Sequence, residues 1–244
     1  MASGKHYKNF YTKEANTYHS SRYDTLYGRV FRTLHQETLG SMIDAIQPVD
    51  QVLEVACGTG YTTTYLTNIG LSVIATDLTP AMMKRAREIP ETRGAQFVEA
   101  NALSLPFPDG AFKLVVSTRF MHLFPKEMQL RVLRELSRVT SPGGHVLVDF
   151  DNLSSRLILA IPHLLYNLAR YRRIAPDTHY NTIHGLESIF ARAGLTPQRI
   201  SGVAGYHLAV PGLLSERLAI RLGRGHSDGA WRLFSEQLVV LARK

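Results

Sequence analysis

Short apolar runs alternate with longer amphipathic stretches through the middle of the chain. QVLEVA (51–56), LSVIAT (71–76), QFVEA (96–100), FKLVVS (112–117) and HVLVDF (145–150) have the length and branching of strands. Between them, YTTTYLTNI (61–69) reads as a helix closed by Gly70. A second helix over 79–89 is capped by Thr79, begins at Pro80 and stops at Pro90. KEMQLRVLRELSRV (126–139) is amphipathic, entered at Pro125 and broken by SPGG. Upstream, Phe31, Leu34, Met42, Ile43 and Ile46 place a helix within 24–46, ended by Pro48. This rhythm predicts an α/β fold, a doubly wound and mostly parallel sheet with helices on both faces. Ligands of such sheets bind at the carboxyl ends of the strands, so the residues just after each strand are the candidates for chemistry.

The second half is less regular. Segment 178–195 holds a helix ended by Gly194, and RISGVAG and SEQLVVLAR add two strands, bringing the sheet to seven. Segments 153–180 and 205–232 are predicted as helical covers over the strand ends. Residues 1–44 form an N-terminal helical cap and 45–244 the main domain. Within the covers, Leu157, Ile158, Ile161, Leu164, Leu165 and Leu168 alternate with Arg156, Arg170, Arg172 and Arg173. Leu213, Leu214, Leu218 and Ile220 similarly adjoin Arg217, Arg221 and Arg224. Apolar helices with basic flanks roof an apolar pocket or lie on anionic lipid.

Charge sharpens this picture. The net charge is +8, and residues 153–244 carry 12 basic and 5 acidic groups, against 10 and 11 over 45–152. A field so concentrated favours anionic partners on one part of the molecule. Basic and aromatic residues do not alternate in a stripe, which argues against nucleic acid. Cys57 is the single cysteine, so no internal disulfide forms and a reducing compartment is expected. No uninterrupted apolar run approaches the ~18 residues of a membrane span. The expectation is a cytoplasmic protein, at most peripheral at a membrane.

The first strand–helix junction reads Glu54-Val55-Ala56-Cys57-Gly58-Thr59-Gly60. Gly58 and Gly60 permit positive φ and close backbone approach. A pyrophosphate fingerprint would continue to a third glycine, where this chain has Thr63, and Glu54 would repel phosphate. The turn instead suits a cofactor bearing cations and no phosphate. EVACGTG resembles motif I of the class I S-adenosylmethionine-dependent methyltransferases. DLTPAMMKRAR, ANALSLPFPDGAFKLVVS and LRELSRVTSPGGHVLVDF follow in that family's order, over about residues 45–150. The likeness is nearest to the subgroup of ubiquinone and menaquinone C-methyltransferases and other small-molecule enzymes. It implies S-adenosylmethionine as cofactor and S-adenosylhomocysteine as product. It also implies cofactor contacts from Glu54, Ala56, Gly58, Thr59, Gly60, Asp77, Leu78, Met82, Asn101, Ala102 and Ser117. Asp77 would take the ribose hydroxyls, and Leu78 and Met82 would flank the adenine. Asn101 stands where the family usually has Asp, and its amide would accept from the adenine amino group.

The acceptor is narrowed by exclusion. Covalent pyrimidine chemistry needs a nucleophilic cysteine, but Cys57 sits in the cofactor turn. The N/D-P-P-Y motif of amino-base enzymes is replaced by STRFMH at 117–122. His122, just beyond the fourth strand, is the candidate general base. Arg119 is a candidate for an acidic substrate group. Tyr18 and Arg22, in an N-terminal segment of the kind that closes over the site in similar enzymes, are candidates for catalysis and substrate binding. Asp149, Asp151 and Asn152 resemble part of a metal-dependent catechol site, but Ser117 and Thr118 stand where its further Asp belongs, so no metal is expected. The sequence therefore predicts in-line methyl transfer to an apolar, anionic small-molecule or lipid-like acceptor, with an anionic membrane surface as a further partner. A nicotinamide oxidoreductase and a silent binding module are the alternatives. Glu54 and the missing glycine oppose the first; intact Glu54, Gly58, Gly60 and Asp77 oppose the second.

Overall fold

The computed structural model describes residues 4–16, 18, 25–158, 178–205, 208, 215–225, 227 and 229–244. The five apolar runs become β1 (Gln51–Val55), β2 (Ser72–Asp77), β3 (Gln96–Glu99), β4 (Phe112–Ser117) and β5 (Thr140–Asn152). A short β6 (Tyr180–Asn181), β7 (Thr196–Val203) and β8 (Gln237–Arg243) complete the sheet. The helices are α1 (Gly4–Glu14), α2 (Leu26–Asp44), α3 (Tyr61–Asn68), α4 (Pro80–Arg87), α5 (Lys126–Val139), α6 (Leu153–Ile158), α7 (Ile183–Arg192) and α8 (Glu216–Arg224).

The strand order is β3-β2-β1-β4-β5-β8-β7. β1 pairs in parallel with β2 and β4, β2 with β3, and β4 with β5; β8 runs antiparallel between β5 and β7. The order in which successive strands are added therefore switches sides between β1 and β4, the place where such folds open a crevice. The sheet is Rossmann-like, as the sequence predicts, with one strand more than the expected seven. β6 escapes a sequence reading because it is two polar residues pairing with the end of β5, Asp151 opposite Tyr180 and Asn152 opposite Asn181. α5 ends at Val139, where the sequence stops it before SPGG, but SPGG itself is strand rather than a turn. Thr140 already pairs with Phe112, and Gly143 and Gly144 bond through their backbones to Lys244, so α5 runs directly into β5.

Alternation along the strands divides the core in two. Val52, Leu114 and Leu147 face α2 and α3, burying Phe31, Leu34, Leu39, Met42, Ile43 and Leu66. Leu53, Val115 and Val146 face α5 and α7, burying Leu130, Leu133, Leu136, Leu186 and Phe190. Each fully buried side chain of this kind contributes about 1.5–3 kcal/mol. α2 starts where Thr25 Oγ1 accepts from Gly28 N, and it belongs to the core layer rather than standing apart as a cap.

The described part of segment 205–232 packs on the core helix α2. Its helix α8 turns Ala219 and Gly223 inward, where a Cβ on Gly223 would lie 2.3 Å from Leu34 Cδ1 on α2. Leu218 and Leu222 face outward and are 40% and 45% exposed. The segment joins β7 to β8, at the sheet edge remote from β3. Among the described residues, no helix is long and apolar enough to cross a membrane.

Candidate functional site

The turn after β1 is set by three left-handed residues in five. Ala56, Gly58 and Gly60 have φ of 62°, 55° and 84°. Ala56 holds that conformation at a cost of about 1–2 kcal/mol. The two glycines serve different ends. A Cβ on Gly60 would meet Ala86 Cβ at 3.0 Å and its backbone Cα at 3.2 Å, so Gly60 lets α4 approach the turn. A Cβ on Gly58 would meet nothing within 4 Å; it borders open space where a ligand can touch the backbone.

Asp77, at the end of β2, holds this turn. Its Oδ2 accepts from Gly58 N at 2.9 Å and its Oδ1 from Thr79 N at 2.7 Å. Burial raises its pKa, and the N–H donors of Thr79 and Gly58 partly offset that. Glu54 is 2% exposed, and Thr63 donates to its Oε2 at 2.6 Å. Burial, with a smaller contribution from the Asp77 charge, pushes the Glu54 carboxyl up to about 7 despite the Thr63 bond. Thr63, in the place of a third glycine, is therefore the partner of the carboxylate that the turn keeps. Burial, helped by the Glu54 and Asp77 charges, raises the Cys57 thiol well above its ordinary range, so it is a poor nucleophile.

A cavity of about 760 Å3 opens at this crevice. Val55, Ala56, Gly58, Asp77, Leu78, Thr79, Met82 and residues 100–103 form one wall. Arg119, Phe120, Leu123, Phe124, Pro125, Glu127, Met128, Arg131 and Val132 form the other. Lys8, Tyr11, Tyr18 and His179 close the rim. Phe120 and Phe124 meet edge to face at 4.8 Å, and Tyr11 and Tyr18 at 5.9 Å. Lys8 is paired with Glu99 at 2.6 Å.

Nine of the residues singled out by sequence converge here: Tyr18, Ala56, Gly58, Asp77, Leu78, Met82, Asn101, Ala102 and Arg119. Asn101 Oδ1 accepts from Leu103 N at 3.0 Å, closing a turn at the cavity wall. Glu54, Thr59, Gly60, Ser117 and His122 do not line the cavity. Ser117 is fully buried at the end of β4, which turns it into the protein. His122 sits on the 3-10 turn Met121–Leu123, and its carbonyl accepts from His179 N at 2.8 Å. That bond brings His179, absent from the sequence reading, to the cavity. Arg22 lies outside the described residues. Of the two predicted covers, 153–180 contributes His179 and no described residue of 205–232 lines the cavity; 159–177, with Ile161, Leu164, Leu165, Leu168, Arg170, Arg172 and Arg173, and 209–214, with Leu213 and Leu214, lie outside the described residues. The apolar wall includes Met128 and Val132, four residues apart on α5, and Phe124 just before that helix.

Asp149 and Asn152 are engaged in the fold. Asp149 accepts from Arg119 N at 2.7 Å and contacts His35, while Asn152 Nδ2 donates to the carbonyls of Arg232, Leu233 and Ser235. No group of metal-binding side chains is found among the described residues.

The residues present fit S-adenosylmethionine. Open space at Gly58 admits close backbone contact, Asp77 presents a carboxylate at the cavity wall, and Leu78 and Met82 offer apolar flanks. A family profile described as a methyltransferase domain matches residues 53–148. An uncharacterized methyltransferase from Synechocystis sp. is 32% identical over 179 residues, covering 72% of this chain and 80% of that protein. A demethylmenaquinone methyltransferase from Thermus thermophilus is 40% identical over 103 residues, 40% of this chain and 46% of that protein, so the chain spans less than half of this relative. A solved structure described as a possible histamine N-methyltransferase from Thermotoga maritima superposes with a TM-score of 0.68 at 17% identity, covering 97% of this chain and 99% of the other.

Proposed function

This chain belongs to the class I S-adenosylmethionine-dependent methyltransferases, of the small-molecule type, and from that premise we propose that its acceptor is an apolar small molecule carrying an anionic group. The observation that carries this reading is the wall opposite the cofactor turn. Phe120, Leu123, Phe124, Pro125, Met128 and Val132 make it apolar, while Arg119 and Arg131, against one acid, Glu127, stand beside it. A Thermus thermophilus relative that acts on demethylmenaquinone supports an apolar acceptor.

Bound S-adenosylmethionine supplies an activated methyl group on a cationic sulfur. The protein's own contribution is alignment, exclusion of water and removal of a proton from the acceptor. Asp77 and the Gly58 backbone hold the cofactor end. The aromatic wall excludes water and lays the acceptor against that end. The imidazole of His179, on the rim, takes the acceptor's proton where the acceptor atom carries one. His179→Ala should lower the rate of label transfer by about 100-fold with S-adenosylhomocysteine affinity unchanged, and His122→Ala should lower it far less. A rate untouched by His179→Ala removes that side chain from the chemistry.

The test of the acceptor class is transfer of radiolabelled methyl from S-adenosylmethionine into an extract of the source cell, then partition between organic and aqueous phases. Label in the organic phase is expected. Label confined to the aqueous phase would overturn the apolar reading and leave a methyltransferase of polar metabolites.

A further inference from the structure

A buried polar chain runs behind the cavity and ends on Arg119. Asp149, on β5, and His35, on α2, are both fully buried, 114 residues apart, with His35 Nε2 3.1 Å from Asp149 Oδ2. Tyr61, the first residue of α3, places its hydroxyl 3.3 Å from His35 Nδ1. A neutral imidazole satisfies both ends, with Nε2–H donating to Asp149 and Nδ1 accepting from Tyr61. The second Asp149 oxygen accepts from Arg119 N at 2.7 Å.

Arg119 needs that hold. Its φ is 59°, a left-handed conformation that an L side chain adopts at a cost of about 1–2 kcal/mol. A charge-assisted bond to its N–H is strong enough to fix the turn. The side chain is set from the same source. Its guanidinium lies 5.0 Å from the centroid of Phe31, and the Phe31 ring stacks on His35 at 5.4 Å and 18°. Phe31 and His35 are one helical turn apart on α2 and so share a face. Backbone and guanidinium of Arg119 are thus anchored to one buried unit.

We propose that Asp149, His35 and Phe31 are positioning residues that present Arg119 to the anionic group of the acceptor. The proposal rests on the reading of Arg119 as the cation that meets that anion. It accounts for two features that the methyl-transfer chemistry leaves unused, a buried carboxylate–imidazole pair and a strained arginine. It also links the cofactor side to the acceptor side, since Tyr61 opens the helix that follows Gly60.

The test uses two fluorescent probes that differ by one group, 1-anilinonaphthalene-8-sulfonate and its uncharged parent N-phenyl-1-naphthylamine. Both are titrated into the full chain in the presence of S-adenosylhomocysteine, with near-ultraviolet circular dichroism as the check of folding. The readout is the ratio of their affinities, which general loosening of the fold does not move in favour of one probe. The sulfonate should bind about tenfold more tightly, and Arg119→Met should erase that preference. Phe31→Leu and Asp149→Ala should each remove most of it, and neither should change the ratio further in the Arg119→Met background. Asp149→Ala orphans buried donors, so Phe31→Leu, a modest apolar exchange, keeps the test decisive should the first variant misfold. If Arg119→Met erases the preference and a folded Phe31→Leu retains it, the positioning role is overturned while the anion reading stands. If the unaltered protein shows no preference, both fall together.

Discussion

Replacing Asp77 with alanine is expected to weaken binding of S-adenosylhomocysteine by about 100-fold, near 3 kcal/mol at 1.4 kcal/mol per tenfold. Two losses combine. The carboxylate lines the cavity, where it would accept from ribose hydroxyls, and bonds of this charged kind contribute about 1.5–3 kcal/mol. The same carboxylate fixes Gly58 N and Thr79 N, so its removal also releases the turn that faces the ligand. Asp77→Asn keeps one acceptor oxygen and should cost about tenfold. Calorimetric titration of both variants, with thermal melts alongside, separates the two losses. An unchanged affinity in Asp77→Ala would remove the ribose role from this residue and leave it as a brace for the turn.

Asp77's place at the turn and the cavity is legible in sequence because the elements that set it are local. A strand, a turn with two glycines and an acid at the end of the next strand are written in consecutive residues. Gly58 and Gly60 show the limit of that legibility. Sequence equates them, whereas the packing of Ala86 against one and open space beside the other assigns them to helix approach and ligand approach respectively. The placement of the described helix in 205–232 is hidden for a related reason. Leucine and arginine in 205–232 have the composition of a pocket roof, but the side chains that decide where α8 sits are Ala219 and Gly223, whose smallness seats it on Leu34 of α2. His179 was invisible because a backbone bond to the carbonyl of His122, 57 residues earlier, brings it to the cavity. The His35–Asp149 pair is of the same kind; nothing near either residue in the chain marks its partner. What sequence shows well is chemistry carried by one strand–turn–helix unit, and what it hides is chemistry assembled across the sheet.

Glu54 shows what the turn costs the fold. Its carboxyl titrates at about 7 in the folded protein against an ordinary 4.5, with burial as the main cause. The folded state therefore holds this proton more tightly than the unfolded chain does. Below pH 4.5 both states are protonated and the contribution to stability is complete. Between 4.5 and about 7 the unfolded chain has released the proton while the folded protein keeps it, so stability falls as pH rises. Above about 7 both states are ionised and the loss levels off near 3 kcal/mol, at 1.36 kcal/mol per tenfold. Urea unfolding without cofactor should therefore show this decline between pH 4.5 and about 7 and a plateau above it, and Glu54→Gln should lack it; the difference between the two proteins cancels the other titrating groups. We propose that the cofactor, bound on the same turn, reverses the penalty through its field. A bound ammonium and sulfonium favour the ionised carboxylate, so affinity for S-adenosylmethionine should rise as pH approaches 7, with a proton released on binding at lower pH. Glu54→Gln should bind more weakly at pH 8 and lose that pH dependence. If the unaltered protein and Glu54→Gln decline in parallel between pH 4.5 and about 7, the carboxylate is not the titrating group, and its part in attracting the cofactor fails with it.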